Sequence, residues 1–114
     1  MDPISVALIS KALDGLTARS VATARNIANV NSAKYRPVHV TFEEALRSAA
    51  DRGIDAIRDV TPEVEETPLA IGDSRMRLDL ELATATQTGL RYAALIDLLG
   101  RQMQISRLVI RGGQ

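Results

Sequence analysis

The chain has 114 residues and a mass of 12.3 kDa, the size of one domain. Aromatic residues make up 3% against 46% hydrophobic, so the apolar content is Leu, Ile, Val and Ala, a composition that favours packed helices over a β-sandwich. Fourteen basic and fourteen acidic side chains cancel, Cys is absent and His occurs once, which argues against a general nucleic-acid binder and excludes disulfides, thiol nucleophiles and Cys- or His-cluster metal sites.

Asp2-Pro3 reads as a helix start, with Asp as the cap and Pro in the first turn, where its missing N–H is not needed. Val6, Ile9, Leu13, Leu16, Ser20, Thr23, Ile27 and Val30 then follow at alternating steps of three and four, a heptad seam. A helix over residues 3–30 would be about 42 Å long at ~1.5 Å per residue. Its six apolar seam residues cannot offset the ordering of so many backbone units, so the helix needs a partner surface. Asp2, Ser10, Lys11 and Asp14 break any apolar run, so no cleaved signal and no membrane-spanning helix is expected.

Asn29, Asn31 and Ser32 favour a turn and end the helix. Pro37 pushes Arg36 into extended geometry. Val38, Val40 and Phe42 alternate with His39 and Thr41, a short extended run that puts His39 on its outer side as an ordinary surface residue. Thr41-Phe42-Glu43-Glu44 has the form of a capping box, and residues 42–50 read as a short helix closed near Gly53. Residues 51–73 hold seven acids against two Arg, with Pro62 and Pro68, while residues 1–50 and 74–114 are each mildly basic. That composition predicts an exposed, irregular acidic connection over residues 54–73.

The last element is expected to start at Asp73, Ser74 or Asp79. A second heptad seam runs through Leu78, Leu82, Ala85, Gly89, Tyr92, Ile96, Leu99, Met103, Ser106 and Ile110. Leu90, Ala93, Leu95, Leu98, Ile105, Leu108 and Val109 lie beside it, so after Leu90 the apolar surface covers well over half the circumference. A two-helix hairpin needs only one stripe, so the surplus means either a larger bundle within the chain, a small monomeric one, or burial against other chains; too little helix remains to cover it internally, which favours other chains. The expected fold is therefore mainly α: long N- and C-terminal heptad helices, residues 1–31 and 74–114, packed as an antiparallel coiled-coil-like pair. The variable middle, residues 32–73, is expected to hold a short extended segment, a short helix and a flexible acidic stretch, all within one domain, 1–114.

The segment Arg25-Asn26-Ile27-Ala28-Asn29-Val30-Asn31-Ser32-Ala33-Lys34-Tyr35-Arg36 resembles the signature at the first helix end of the flagellar rod, hook and filament-type axial proteins. Phe42 matches a recurrent Phe opening the next segment of that family. Gly89-Leu90-Arg91-Tyr92-x-Ala94-Leu95-x-x-Leu98-Leu99-x-Arg101-Gln102 narrows the resemblance to a short member of the rod branch. The likeness covers roughly residues 1–45 and 74–114. The chain departs from the pattern at Ser32-Ala33-Lys34, where the family places Thr-Pro-Gly; Ala and Lys disfavour the left-handed backbone that Gly tolerates.

The resemblance implies a single rod-subunit domain that polymerises through its terminal helices around a central channel in the basal body. It implies a periplasmic location, reached through the flagellar type III export apparatus without signal cleavage. Implied partners are further copies of the chain, FlgC-like rod subunits, the adaptor FliE and the membrane-ring protein FliF, with no nucleic acid and no bilayer insertion. Neither cofactor nor metal is expected. Assembly is expected to rest on Val6, Ile9, Leu13, Leu16, Asn26, Ile27, Asn29, Val30, Tyr35, Phe42, Leu82, Tyr92, Leu95, Ile96, Leu99, Met103 and Ile110. Tyr35 would serve as an amphipathic anchor, ring against the helices and hydroxyl toward a polar partner.

Two other functions compete. A small helical regulatory or chaperone-like binding module would use the same apolar helices. An enzyme is disfavoured: Asp97 and Arg101 are an ordinary i, i+4 helix pair, Glu43 and Glu44 are adjacent and do not converge, and no phosphate loop or nucleophile arrangement is present.

Overall fold

The computed structural model describes residues 1–67 and 77–112. In chain order the elements are α1 (Pro3–Ala28), β1 (Val38–Thr41), α2 (Glu43–Ala50), α3 (Ile54–Asp59), β2 (Glu63–Glu66) and α4 (Leu78–Gly112). The chain is mainly helical, with long N- and C-terminal helices and a small two-stranded sheet. It is elongated, 67 × 27 × 14 Å.

α1 begins as its sequence dictates. Asp2 Oδ1 accepts from the Ser5 N–H at 2.7 Å, and Pro3 occupies the first turn. That backbone N–H holds the Asp2 carboxyl below the usual carboxylate range. The helix stops at Ala28, short of the expected Val30, because Asn29 caps it twice: its own N–H bonds the Arg25 and Asn26 carbonyls, and its Nδ2 donates to the Arg25 carbonyl at 2.9 Å. Successive turns follow, Ser32 N–H to Asn29 O and Tyr35 N–H to Ser32 O. Ser32-Ala33-Lys34 makes this turn with φ negative throughout, so the glycine of the family pattern is not required.

β1 and β2 pair antiparallel, with Val38 opposite Glu66 and Thr41 opposite Glu63. The edge of β1 away from β2 is closed by side chains of α1: Asn26 binds both backbone groups of Val38, and Arg19 donates to the Val40 carbonyl at 2.8 Å. α2 begins at Glu43 with Phe42 as cap residue, and no side chain caps it. The expected Thr41–Glu44 capping box does not form; Glu43 instead turns its Oε1 toward the Phe42 N–H at 3.4 Å.

The expectation of an irregular acidic stretch from residue 54 is corrected over residues 54–67. Gly53 takes φ +102° and starts α3, and β2 follows. Among the acids, Ile57 and Val60 are buried with Ala49, against Ala7 and Leu8 of α1. Lys11 reaches across from α1 to the Arg58 carbonyl at 2.9 Å, satisfying an acceptor at the end of α3. The rest of the expected stretch, residues 68–73, lies outside the described residues, as do the starts proposed at Asp73 and Ser74; α4 begins at Leu78.

α4 runs antiparallel to α1, since Asn26 near the end of α1 bonds Glu81 and the Met1 amino group bonds Gln102. Its covered positions are Glu81, Thr84, Ala85, Thr88, Leu95, Leu99 and Gln102. The covered side of α1 includes Ser5, Leu8, Ala12, Gly15, Arg19, Ala22 and Asn26. The two expected seams are thus only partly the contact lines. Ile9, Leu16 and Thr23 are buried, whereas Val6, Ser20, Leu82, Tyr92, Ile96, Met103, Ser106 and Ile110 stay exposed.

Candidate functional site

The polar centre of the molecule is Asn26, only 1% exposed. Its Oδ1 accepts from the Tyr35 hydroxyl at 2.8 Å and from the Val38 N–H at 2.9 Å. Its Nδ2 donates to the Val38 carbonyl at 2.7 Å and to Glu81 Oε2 at 3.0 Å. All four hydrogen-bonding positions of the amide are therefore used, and one side chain ties α1 to the turn, the first strand and α4. Burial of the Tyr35 hydroxyl there pushes its pKa up, opposed by Arg25 and reinforced by Glu81.

A second anchor lies two and three turns earlier on α1. Phe42 packs its ring over Gly15, where an added Cβ would fall inside the ring's van der Waals envelope. The Arg19 guanidinium sits 4.9 Å from the centre of the same ring and grips Glu43 with two bonds of 2.7 Å. Arg91 of α4 approaches Glu43 from the other side at 3.7 Å. Hydrogen bonding from Arg19 holds the Glu43 carboxyl below the usual range despite partial burial. Leu16, Ala22, Val40 and Phe42 form the buried cluster here, with Leu95 packed against it.

The proposed assembly residues divide into two groups. Ile9, Leu16, Asn26 and Phe42 are buried inside the subunit, and Leu13, Ile27, Asn29, Val30, Tyr35, Leu95 and Leu99 are half-buried. Val6, Leu82, Tyr92, Ile96, Met103 and Ile110 lie on the surface with Val21, Leu90, Leu98, Ile105, Leu108 and Val109. A cavity of about 350 Å³ opens along the α1–α4 pair, lined by Leu16, Thr17, Ser20 and Val21 from one helix and Ala85, Thr88, Gly89, Tyr92 and Ala93 from the other.

Gly15, Arg19, Ile57 and Glu81 carry structural weight that periodicity does not flag. The available signals were a glycine four residues before an arginine on one helix face, and two aliphatics three apart in an acidic run. His39 is half-buried on the sheet, 3.2 Å from Thr67 Oγ1 and 3.5 Å from Glu65. Among the described residues no three potential ligands gather as a metal site, and no helix is long and apolar enough to cross a membrane.

No protein-family model matches the chain, and no characterised protein matches it in sequence.

Proposed function

We propose that this chain is a structural subunit of the bacterial flagellar basal-body rod, looking most like the proximal rod protein FlgB. In this reading it has no catalytic role. It polymerises through its terminal helices, transmits motor torque and lines the export channel in the periplasm. Its neighbours are further copies, FlgC-like subunits, FliE and FliF, reached after export by the flagellar apparatus. In the assembly, α1 and α4 act as an antiparallel coiled-coil-like pair whose outer surfaces meet other helices.

The observation that carries the reading is the apolar surface of α4. Twelve large hydrophobic residues on that helix are exposed, and they lie outside the side that faces α1. Contiguous exposed apolar surface of this kind marks an interaction site. The Asn26 turn supports the same reading, because it ties the resembling segment, the first strand and α4 into one rigid end from which the rest of α4 projects.

Electron microscopy of the concentrated protein with its rod partners tests this: layered tubular assemblies are expected. Discrete soluble complexes of fixed composition would instead support a regulatory or chaperone-like binding module, a reading favoured by the 350 Å³ cavity beside Val21 and Tyr92.

A further inference from the structure

The two edges of the small sheet are treated differently. The Thr67 N–H donates to the Pro37 carbonyl at 2.7 Å, which continues the register that pairs Val38 with Glu66 and Thr41 with Glu63. In an antiparallel ladder, residues alternate between backbone groups turned toward the partner strand and groups turned away. Glu63, Glu65 and Thr67 therefore face β1 with their backbone groups, and Val64 and Glu66 turn theirs outward. The same phase holds on β1, where Asn26 and Arg19 occupy the outward groups of Val38 and Val40. On β2 the corresponding edge is open. Among the described residues none bonds the N–H or C=O of Val64 or Glu66 on that side, and the whole strand is exposed.

The side chains of this edge decide what it accepts. Glu63 and Glu65 project on one face of the sheet, Val64 and Glu66 on the other. His39 approaches Glu65 at 3.5 Å and Arg36 approaches Glu66 at 3.7 Å, while Glu63 has no ion pair among the described residues. Val64 is 57% exposed, although Val40 opposite it is buried. A second copy of the chain is a poor occupant. Antiparallel pairing of two such edges must match Val64 or Glu66 of one copy with Val64 or Glu66 of the other. Val64 on Val64 sets Glu63 against Glu65; Val64 on Glu66 sets Glu65 against Glu65; Glu66 on Glu66 is itself a like pair. Like charges directly opposite destabilise a sheet. The charges that turn copies away suit a strand of opposite sign.

We infer that the free edge of β2 takes up an extended, basic segment of a partner protein as a third, antiparallel strand. The backbone of that segment bonds the outward groups of Val64 and Glu66. Its sequence alternates basic–apolar–basic, with cations opposite Glu63 and Glu65 and a β-branched residue covering Val64 between them. Main-chain bonds supply the affinity and the side chains supply the choice of partner. The strand is short and its carboxylates are exposed, so binding is weak and falls as salt rises. The inference concerns the middle of the chain rather than the terminal helices, and it does not depend on the subunit reading.

Titration of the full chain with the synthetic peptide Thr-Lys-Val-Lys-Val-Lys-Thr, followed by amide NMR shifts, tests it. Binding should saturate, with the largest shifts at Val64 and Glu66, and should be roughly tenfold tighter than for the same peptide with Glu in place of Lys. The Lys peptide N-methylated on both valines keeps its charge but cannot pair, and should bind roughly tenfold more weakly than its parent. Val64→Pro removes an N–H that β1 does not use, so the sheet should persist by circular dichroism while the Lys peptide binds roughly tenfold more weakly. No binding of the Lys peptide at millimolar concentration overturns the inference, and leaves the acidic edge as a guard against pairing alone. Equal binding of the Lys and Glu peptides overturns it too. So does an N-methylated peptide that binds like its parent, since charge attraction without strand pairing would then suffice; this arm decides even where Val64→Pro disturbs the strand. None of these outcomes touches the subunit reading, which fails separately, when no layered assembly forms with rod partners.

Discussion

The two ends of α4 obey different chemistry. Near Glu81 the helix is held by a polar contact to a buried amide whose four hydrogen bonds are all made, and its covered positions are small or polar: Thr84, Ala85 and Thr88. Even Thr88, buried, returns its hydroxyl to the Thr84 carbonyl of its own helix at 2.7 Å. Past Gln102 the helix is uncovered, and Met103, Ile105, Leu108, Val109 and Ile110 leave most of its circumference apolar, beside a polar strip of Gln104, Arg107 and Arg111. Directional bonds fix one arrangement at the first end, whereas the exposed apolar surface at the second is non-directional and fixes none. The molecule is thus tightly specified at the Asn26 end and uncovered at the other.

The sharpest way to break that contrast is Asn26→Leu. It leaves the Val38 N–H and carbonyl and the Tyr35 hydroxyl without their partner in a buried site, and should destabilise by roughly 3–5 kcal/mol. Urea denaturation would measure it. A change below about 1 kcal/mol would mean that the amide is dispensable.

Two glycines sharpen the comparison by opposite signs. Gly15→Ala forces a methyl group into the Phe42 ring, and overpacking of this kind costs about 1–3 kcal/mol, partly offset by better helix propensity. Gly89→Ala meets no neighbour and should raise the midpoint of unfolding by about 0.5–1 kcal/mol equivalent. Thermal melts of both, side by side, would expose any error in the direction of either.

Tyr35→Phe removes one hydroxyl from the Asn26 oxygen and keeps the ring, for an expected loss of about 1 kcal/mol. The smallest effect belongs to Glu43. Arg19 holds its carboxyl below the usual range, so the folded chain gives up that proton at lower pH than the unfolded chain does. The pair stabilises fully above the unfolded value, near ~4.3, and its contribution is lost as pH falls through the lower folded value. The Glu43 side chain is half exposed, which limits the contribution to about 1 kcal/mol or less. Stability followed against pH should be flatter in this window for Glu43→Gln; an unchanged slope would assign the acid sensitivity to another carboxylate.

Sequence periodicity made both long helices legible, because each keeps apolar residues in step with the helical repeat over many turns. It did not identify the facing sides. Both helices carry more than one apolar stripe, and the choice between the Val6–Leu13–Ser20 side and the Ser5–Ala12–Arg19–Asn26 side depends on Phe42 needing the recess at Gly15. The turn after α1 was legible from its Asn residues, but Asn26 proves to be a helical residue whose side chain, not its backbone, does the joining. β2 was illegible for a physical reason: Glu63-Val64-Glu65-Glu66 is exposed throughout and owes its place to pairing with β1, which local composition does not record. Likewise Ile57 and Val60 are too few to form a pattern, although they fill a core with Ala49.

The most direct test of the account is hydrogen exchange of the full chain at low and at high concentration. Amides of α1, β1 and the first turns of α4 should be protected in both, through the Asn26 network and the Phe42 cluster. Amides of residues 103–112 should exchange quickly when the protein is dilute and slow markedly when it is concentrated. Strong protection of residues 103–112 that does not depend on concentration would contradict the claim that this part of α4 is left for another chain to cover.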